Sequence, residues 1–286
     1  MELFTQQVLN GLVTGSIYSL VALGLTLIYG TMQVPNFAHG QLFMLGAYVA
    51  FVLVTQSGLH YWAAVGAAVV AMAALGAVME RVVFRPLRYT PHVNSMIAAL
   101  GLMLFLEAVA QYIWGEEFRH MDSPYAGVVS VFGLLVTTHR VILVAAAAAL
   151  MAALLVFLTR TTAGSAIRAT AQNPEGALLV GIDTNRIALA TFAISGALAA
   201  TAGALIAPIS LVYPSMGAMI TLKAFVIVVL GGMGSVPGAL VGGYLLALAE
   251  SLGGTYVSAT YQDLVAFVML ALVFTFKPAG LFKEAA

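Results

Sequence analysis

Residues Arg160 to Arg186 read RTTAGSAIRATAQNPEGALLVGIDTNR, a long polar stretch bounded by basic residues. On either side lie apolar runs, Val141–Thr159 and Ile187–Ala207, each close to the ~20 residues that a helix needs to cross a bilayer. The polar stretch is therefore a loop between two membrane spans. A short helix is legible inside it. Asn173 is a favourable N-cap, Pro174 suits the first helical position, and Glu175 sits in the first turn, where the helix dipole favours an anion. Gly181 can take the left-handed conformation that ends a helix. The predicted helix is about seven residues, roughly two turns, too short to be stable alone in water. Its own membrane domain or a partner must hold it, and Ala177, Leu178 and Val180 supply an apolar surface for that.

The rest of the chain repeats the pattern. Of 286 residues, 62% are hydrophobic and 8% charged, against about 25% charged in soluble domains. The fold class expected is all-α, a polytopic membrane protein of about eight transmembrane helices, with residues 1–286 forming one transmembrane domain and 160–186 its cytoplasmic loop. No polar stretch is long enough to bury a core of its own. Cysteine is absent, which excludes disulfides and thiolate metal sites. The N-terminal MELFTQQ lacks the basic region of a signal peptide, so the first apolar segment is expected to be retained.

Further spans are expected at Gln7–Tyr29, Trp62–Phe84 and Ser95–Trp114, with shorter apolar segments at Leu42–Thr55, Thr221–Leu230, Val236–Leu252 and Asp263–Phe276. Gly115–Arg140 reads as a polar loop with one apolar run, Val128–Val136. Eight of the eleven Lys and Arg fall in the loops around Arg81, Arg85 and Arg88, around Arg160, Arg168 and Arg186, and around Lys277 and Lys283. Positive-inside places these loops in the cytoplasm, the N-terminus outside and the C-terminus inside, with Arg119, Arg140 and Lys223 on the outer side.

Two interruptions have the composition of broken or re-entrant segments: residues 31–41, containing NFAHG at Asn36–Gly40, and residues 231–238, GGMGSVPG. Non-helical backbone at membrane depth is tolerated where it is buried in protein or lines a watery cavity, and broken helices often build transporter sites. A surface loop and glycine-mediated helix packing are the alternatives for the two. The translocation-pathway candidates are Asn36, His39, Gly231, Gly232 and Gly234. Glu107 reads as the one carboxylate well inside a span, placed toward its outer end where it can reach water. The five histidines are scattered, so neither a metal site nor a catalytic residue is expected. No phosphate-binding G-x-x-x-x-G-K-[ST] is present, and none of the three lysines follows a glycine.

NFAHGQLFMLGAYVAF, AIRATAQNPEGALLVGID, VVLGGMGSVPGALVGGYLLALAE and FKPAGLF together resemble the inner-membrane permeases of branched-chain amino acid ABC importers. The chain is most similar to the shorter of the two permeases. The resemblance implies a non-catalytic transport subunit that pairs with a second, related permease. It further implies two ATPase subunits on the cytoplasmic face, which bind the ATP and magnesium, and a periplasmic substrate-binding protein, all around an inner-membrane pathway and without nucleic acid. It assigns Gly164–Asp183 as the segment that docks on the ATPase, with Arg168, Asn173, Glu175, Ala177, Leu178 and Gly181 as coupling candidates; this chain carries Gln172-Asn173-Pro174 where charged residues are more usual. Importers of urea and short amides share these motifs, so the substrate stays open. An ion-coupled secondary transporter would need a titrating carboxylate in the spans, and an intramembrane hydrolase a nucleophile motif that is missing.

Overall fold

The computed structural model describes residues 2–88, 90–131, 133–277 and 280–282. Pro278 of the closing motif and Lys283 of the charge count lie outside the described residues. The helices are α1 (Glu2–Met32), α2 (His39–Thr55), α3 (Tyr61–Met79), α4 (Arg85–Leu87), α5 (His92–Trp114), α6 (Thr138–Arg160), α7 (Thr162–Gln172), α8 (Pro174–Leu179), α9 (Thr184–Ile206), α10 (Met216–Gly231), α11 (Val236–Tyr256) and α12 (Leu264–Phe276). A π-helical turn, Glu80–Phe84, carries α3 into α4 without a break. Among the described residues, six helices are long and apolar enough to cross a membrane, and α2, α10 and α12 are shorter apolar helices. The chain is an all-α polytopic membrane protein.

Helices α1, α2, α9 and α10 form most of the interior. Most of α1 from Gly15 onward is buried, and so is most of α9. Small residues let their neighbours approach closely, the usual route to helix packing where lipid offers no hydrophobic drive. A side chain at Gly11 or Gly15 of α1 would strike Leu248 or Tyr244 of α11, and one at Gly243 of α11 would strike Ser19. On α9, a Cβ at Gly196 would meet the Met72 carbonyl of α3, and one at Gly203 the Phe43 carbonyl of α2. Buried hydroxyls return to their own helix: Thr191 to the Ile187 carbonyl at 2.8 Å and Thr201 to that of Ala197 at 2.7 Å. The outer helices α3, α5, α6 and α12 instead leave large apolar side chains uncovered, Val70, Leu104, Phe105, Val156 and Phe274 among them.

The loop after α5 holds a feature that its polar composition concealed. Val128–Val131 and Leu134–Thr137 pair as an antiparallel hairpin, and Arg119 makes a separate bridge to Val212. The closing segment doubles back onto α10. The Leu281 and Phe282 amides donate to the Leu230 and Gly231 carbonyls, at 2.8 and 3.3 Å, which are among the acceptors a helix C-terminus leaves open.

Candidate functional site

One end of the bundle gathers the C-terminus of α1, the N-terminus of α5, α7 and the 232–235 turn. Tyr29, Gln33, His92, Arg168, Gln172 and Gly234 help line a cavity there of about 730 Å³. The loop that contains α7 and α8 is built as two capped helices. Thr161 Oγ1 accepts from the Gly164 amide at 3.0 Å and starts α7, a helix that the polar sequence did not announce. Asn173 Oδ1 accepts from the Gly176 amide at 2.9 Å and starts α8, with Pro174 and Glu175 in its first turn. Gly181 adopts φ +83° just beyond. Asp183 then caps α9 by accepting from the amides of Asn185 and Arg186.

The apolar surface of this element differs in one residue from the one expected. Ala177 is buried, because it faces inward and its carbonyl accepts from Ile182 in the closing turn. The free surface belongs to Leu178, Leu179 and Val180, which are 53, 89 and 77% exposed. Arg168 and Glu175 are exposed as well. Beneath the loop, Glu80 is fully buried and receives Arg85 at 3.0 Å and Arg88 at 3.3 Å. Arg88 also donates to Asn185 Oδ1 at 2.6 Å, so this cluster ties the end of α3 to the start of α9. Read from the sequence, Glu80 is a boundary residue beside Arg81; its actual partners lie five and eight residues on.

The two interruptions are separate places in the fold. At the first, Asn36 and His39 lie inside the protein. Asn36 Oδ1 accepts from the Ala38 amide at 3.1 Å, and Thr221 Oγ1 of α10 accepts from the Gly40 amide at 3.1 Å. His39 Nε2 donates to the Val21 carbonyl of α1 at 3.0 Å, and Ser195 of α9 faces Nδ1 at 3.3 Å. The freed amides of Ala38 and Gly40 thus find partners in Asn36 and in α10, as burial at membrane depth requires, while α1 and α9 hold the His39 ring. At the second, Gly231 and Gly238 touch backbone to backbone, so that a Cβ on either would overlap the other. Gly232 and Gly234 take φ of +96° and +86°, which turns the chain from α10 into α11. Of the five pathway candidates only Gly234 is exposed, and it faces the 730 Å³ cavity.

Besides Glu80 and Glu107, the spans contain the carboxylate of Glu250. Helix α11 continues to Tyr256, so Glu250, which the sequence pattern places near a helix end, is 1% exposed. Lys223 of α10 donates to Glu250 Oε2 at 3.0 Å, to Tyr18 Oη at 2.8 Å and to Asp263 Oδ1 at 2.8 Å. Glu107 is half-buried and accepts from Gln41 Nε2 at 3.4 Å, so a neighbouring helix holds it. No cluster of three metal-ligating side chains occurs among the described residues.

An all-helical bundle with two partnered breaks in its spans and an exposed apolar tip on one loop has the form of a transport permease. The chain belongs to the family described as the branched-chain amino acid transport system permease component, which it matches over residues 7–274. It is 36% identical over 292 residues to the high-affinity branched-chain amino acid transport system permease protein LivH of Escherichia coli strain K12, covering 97% of this chain and 95% of that one. It is 35% identical over the same length and shares to the corresponding protein BraD of Pseudomonas aeruginosa. The ribose import permease protein RbsC of E. coli K12 is a more distant relative, 28% identical over 90% of this chain and 81% of its own. In fold alone, the chain is similar to one from the structure of PsaBC from Streptococcus pneumoniae in complex with Fab, with a TM-score of 0.53 and 13% identity over 96% of this chain and 92% of that one.

Proposed function

We propose that the chain is one of two related permease subunits in an ATP-driven importer of branched-chain amino acids. The observation that carries this reading is the 36 and 35% identity with LivH and BraD over 97% of the chain, in a chain whose α7–α8 loop leaves Leu178, Leu179 and Val180 exposed. Two ATPase subunits would dock on residues 160–186 and supply ATP and magnesium, because no phosphate-binding loop occurs in this sequence. Arg168, Asn173, Glu175, Leu178 and Gly181 would act there, the capping pair Asn173 and Gly181 by shaping α8 and the others by contact. A binding protein would deliver substrate at the opposite face. The basic loops favour a cytoplasmic position for α7 and α8 in the inner membrane, with the N-terminus outside and the C-terminus inside.

The breaks at Asn36–His39 and Gly231–Gly234 are the segments we assign to the translocation pathway and its gate. Their burial supports a role in shaping the wall, with Gly234 nearest the open cavity. The test is uptake of labelled leucine by the full complex in proteoliposomes with ATP inside and the proton gradient collapsed. ATP-dependent uptake is expected. Uptake that instead follows the proton gradient would overturn the ATP-driven reading, and uptake of urea or acetamide without leucine would overturn the substrate.

A further inference from the structure

Glu107 is a carboxylate that the chain leaves half-open inside a membrane span. It lies on α5 about two turns short of Trp114, where the helix ends. Read from the sequence, it reaches water at the outer end of its span. The structure turns it the other way. Side chains on a helix lean toward its N-terminus, so Glu107 leans toward the His92 end and deeper into the bilayer. Its partner confirms the direction. Gln41 Nε2 donates to Glu107 Oε2 at 3.4 Å, and Gln41 follows directly on the buried NFAHG break. Gln41 is fully buried, and Gly217 of α10 packs so closely on its amide that any side chain there would strike it. Gln41 is therefore a fixed anchor.

That one long contact is all the hydrogen bonding Glu107 has among the described residues, and Oε1 is left open at the surface of the chain. A carboxylate at this depth is expensive against lipid, and such residues face a partner or a watery space. The neighbours on α5 favour water. Gln111, one turn nearer the outer end, lies on the same flank and is half-buried as well. The polar strip thus continues from Glu107 toward the exposed Glu116 and Glu117 beyond the helix. A single cation from a partner would answer Glu107 alone, whereas a water-filled space answers the whole strip. On one side the strip is bordered by Trp114, which stacks on Tyr48 of α2 at 4.6 Å between centroids. The opposite side of α5 carries exposed Phe105 and suits lipid.

We propose that the flank of α5 bearing Glu107 and Gln111, with Gln41 of α2 beside it, is a wall of the aqueous translocation route, closed on its far side by the second permease. The inference rests on the importer reading given above. It places the route along the α2–α5 seam, with the NFAHG break behind the wall as the support that sets the depth of Gln41. Glu107 then serves as a wetting group that keeps this stretch of the route hydrated.

The sequence lacks cysteine, so single cysteines can report which positions meet water. The thiolate is the reactive form, and apolar surroundings suppress it. The experiment uses the complete complex of permeases and ATPases in nanodiscs, treated with a charged, membrane-impermeant methanethiosulfonate and read by the mass of this chain. Glu107→Cys and Gln111→Cys are expected to react at least tenfold faster than Phe105→Cys. Trapping with ATP and vanadate is expected to change both rates at least fivefold, while Ala126→Cys in the exposed loop keeps its rate. If Glu107→Cys fails to assemble, Gln111→Cys decides alone. Rates no faster than that of Phe105→Cys overturn the proposal, because the flank is then covered by lipid or by a dry interface. Fast rates that trapping leaves unchanged also overturn it, since they mark a static crevice. Leucine takes no part in the thiol reaction. The expected pattern in a complex that takes up no leucine would support the wall and refute the importer reading, whereas leucine uptake with slow thiols refutes the wall alone.

Discussion

The reading of α8 as a docking element makes a quantitative claim about Leu179. Its side chain is 89% exposed in the isolated chain, so a partner that covers it removes nearly the full apolar surface from water. Burying a leucine is worth about 1.5–3 kcal/mol. Replacing it by Asp forfeits that and places a charge in the interface, so Leu179→Asp is expected to weaken ATPase binding by about ten- to a hundredfold, taking 1.4 kcal/mol per decade. The permease itself should be unaffected within about 0.5 kcal/mol, as for surface changes that touch nothing. Ala177→Asp is the contrast. Ala177 is 4% exposed, so the same charge would be buried without a partner and should destabilise the fold. The assay titrates the ATPase subunits onto the permease pair in nanodiscs, with thermal unfolding of each variant measured alongside. The reasoning is refuted if Leu179→Asp binds the ATPase like wild type, or if it unfolds the permease as readily as Ala177→Asp does.

Other expectations follow from single contacts. Glu80→Ala strips two arginines of a fully buried partner; since Arg85 and Arg88 keep some access to water, the loss should be about 2–3 kcal/mol, below the 3–5 of an enclosed pair, read from thermal unfolding in detergent. Gly203→Val would drive a side chain into the Phe43 carbonyl and should cost at least the ~1–3 kcal/mol of an overpacked core, with loss of folded protein on size-exclusion chromatography. Asn173→Ala removes the cap of α8 at about 1 kcal/mol, which should appear as faster amide exchange confined to residues 174–180. Glu107→Gln keeps a group that can accept from Gln41 and should retain ATP-driven uptake within a few-fold; abolished uptake would bring back an ion-coupled mechanism.

The apolar segments were legible because hydropathy and length dominate helix insertion: the expected span Ser95–Trp114 lies within α5, and Asn173, Pro174 and Gly181 mark α8 as they stand. Helix α7 escaped notice because its sequence, TAGSAIRATAQ, is held by packing beneath α6 and α1 and by the Thr161 cap. The hairpin at 128–137 was hidden by a short apolar run that suits a strand and an interfacial segment equally. Glu250 escaped because its depth depends on where α11 ends, and helix boundaries are the least certain part of a sequence reading. The Lys223 cluster joins Tyr18, Lys223, Glu250 and Asp263 from distant parts of the chain, and no local pattern announces such a meeting. The sequence pattern offered Ala177 rather than Leu179 as part of the apolar surface of α8, because a two-turn helix has too few residues to reveal which face is free.

The pairing of Leu281 and Phe282 with the end of α10 has a bearing on how the protein is made. The carbonyls of Leu230 and Gly231 leave the ribosome well before the amides that satisfy them. At 5–20 residues per second, the wait is about 3–10 s. During that interval α11 and α12 are synthesised while the terminus of α10 remains open, so insertion of this helical hairpin and its completion are distinct events in time. A pause in translation between the codons for α12 and Leu281 would prolong the unfinished state, and a premature stop there would make it permanent.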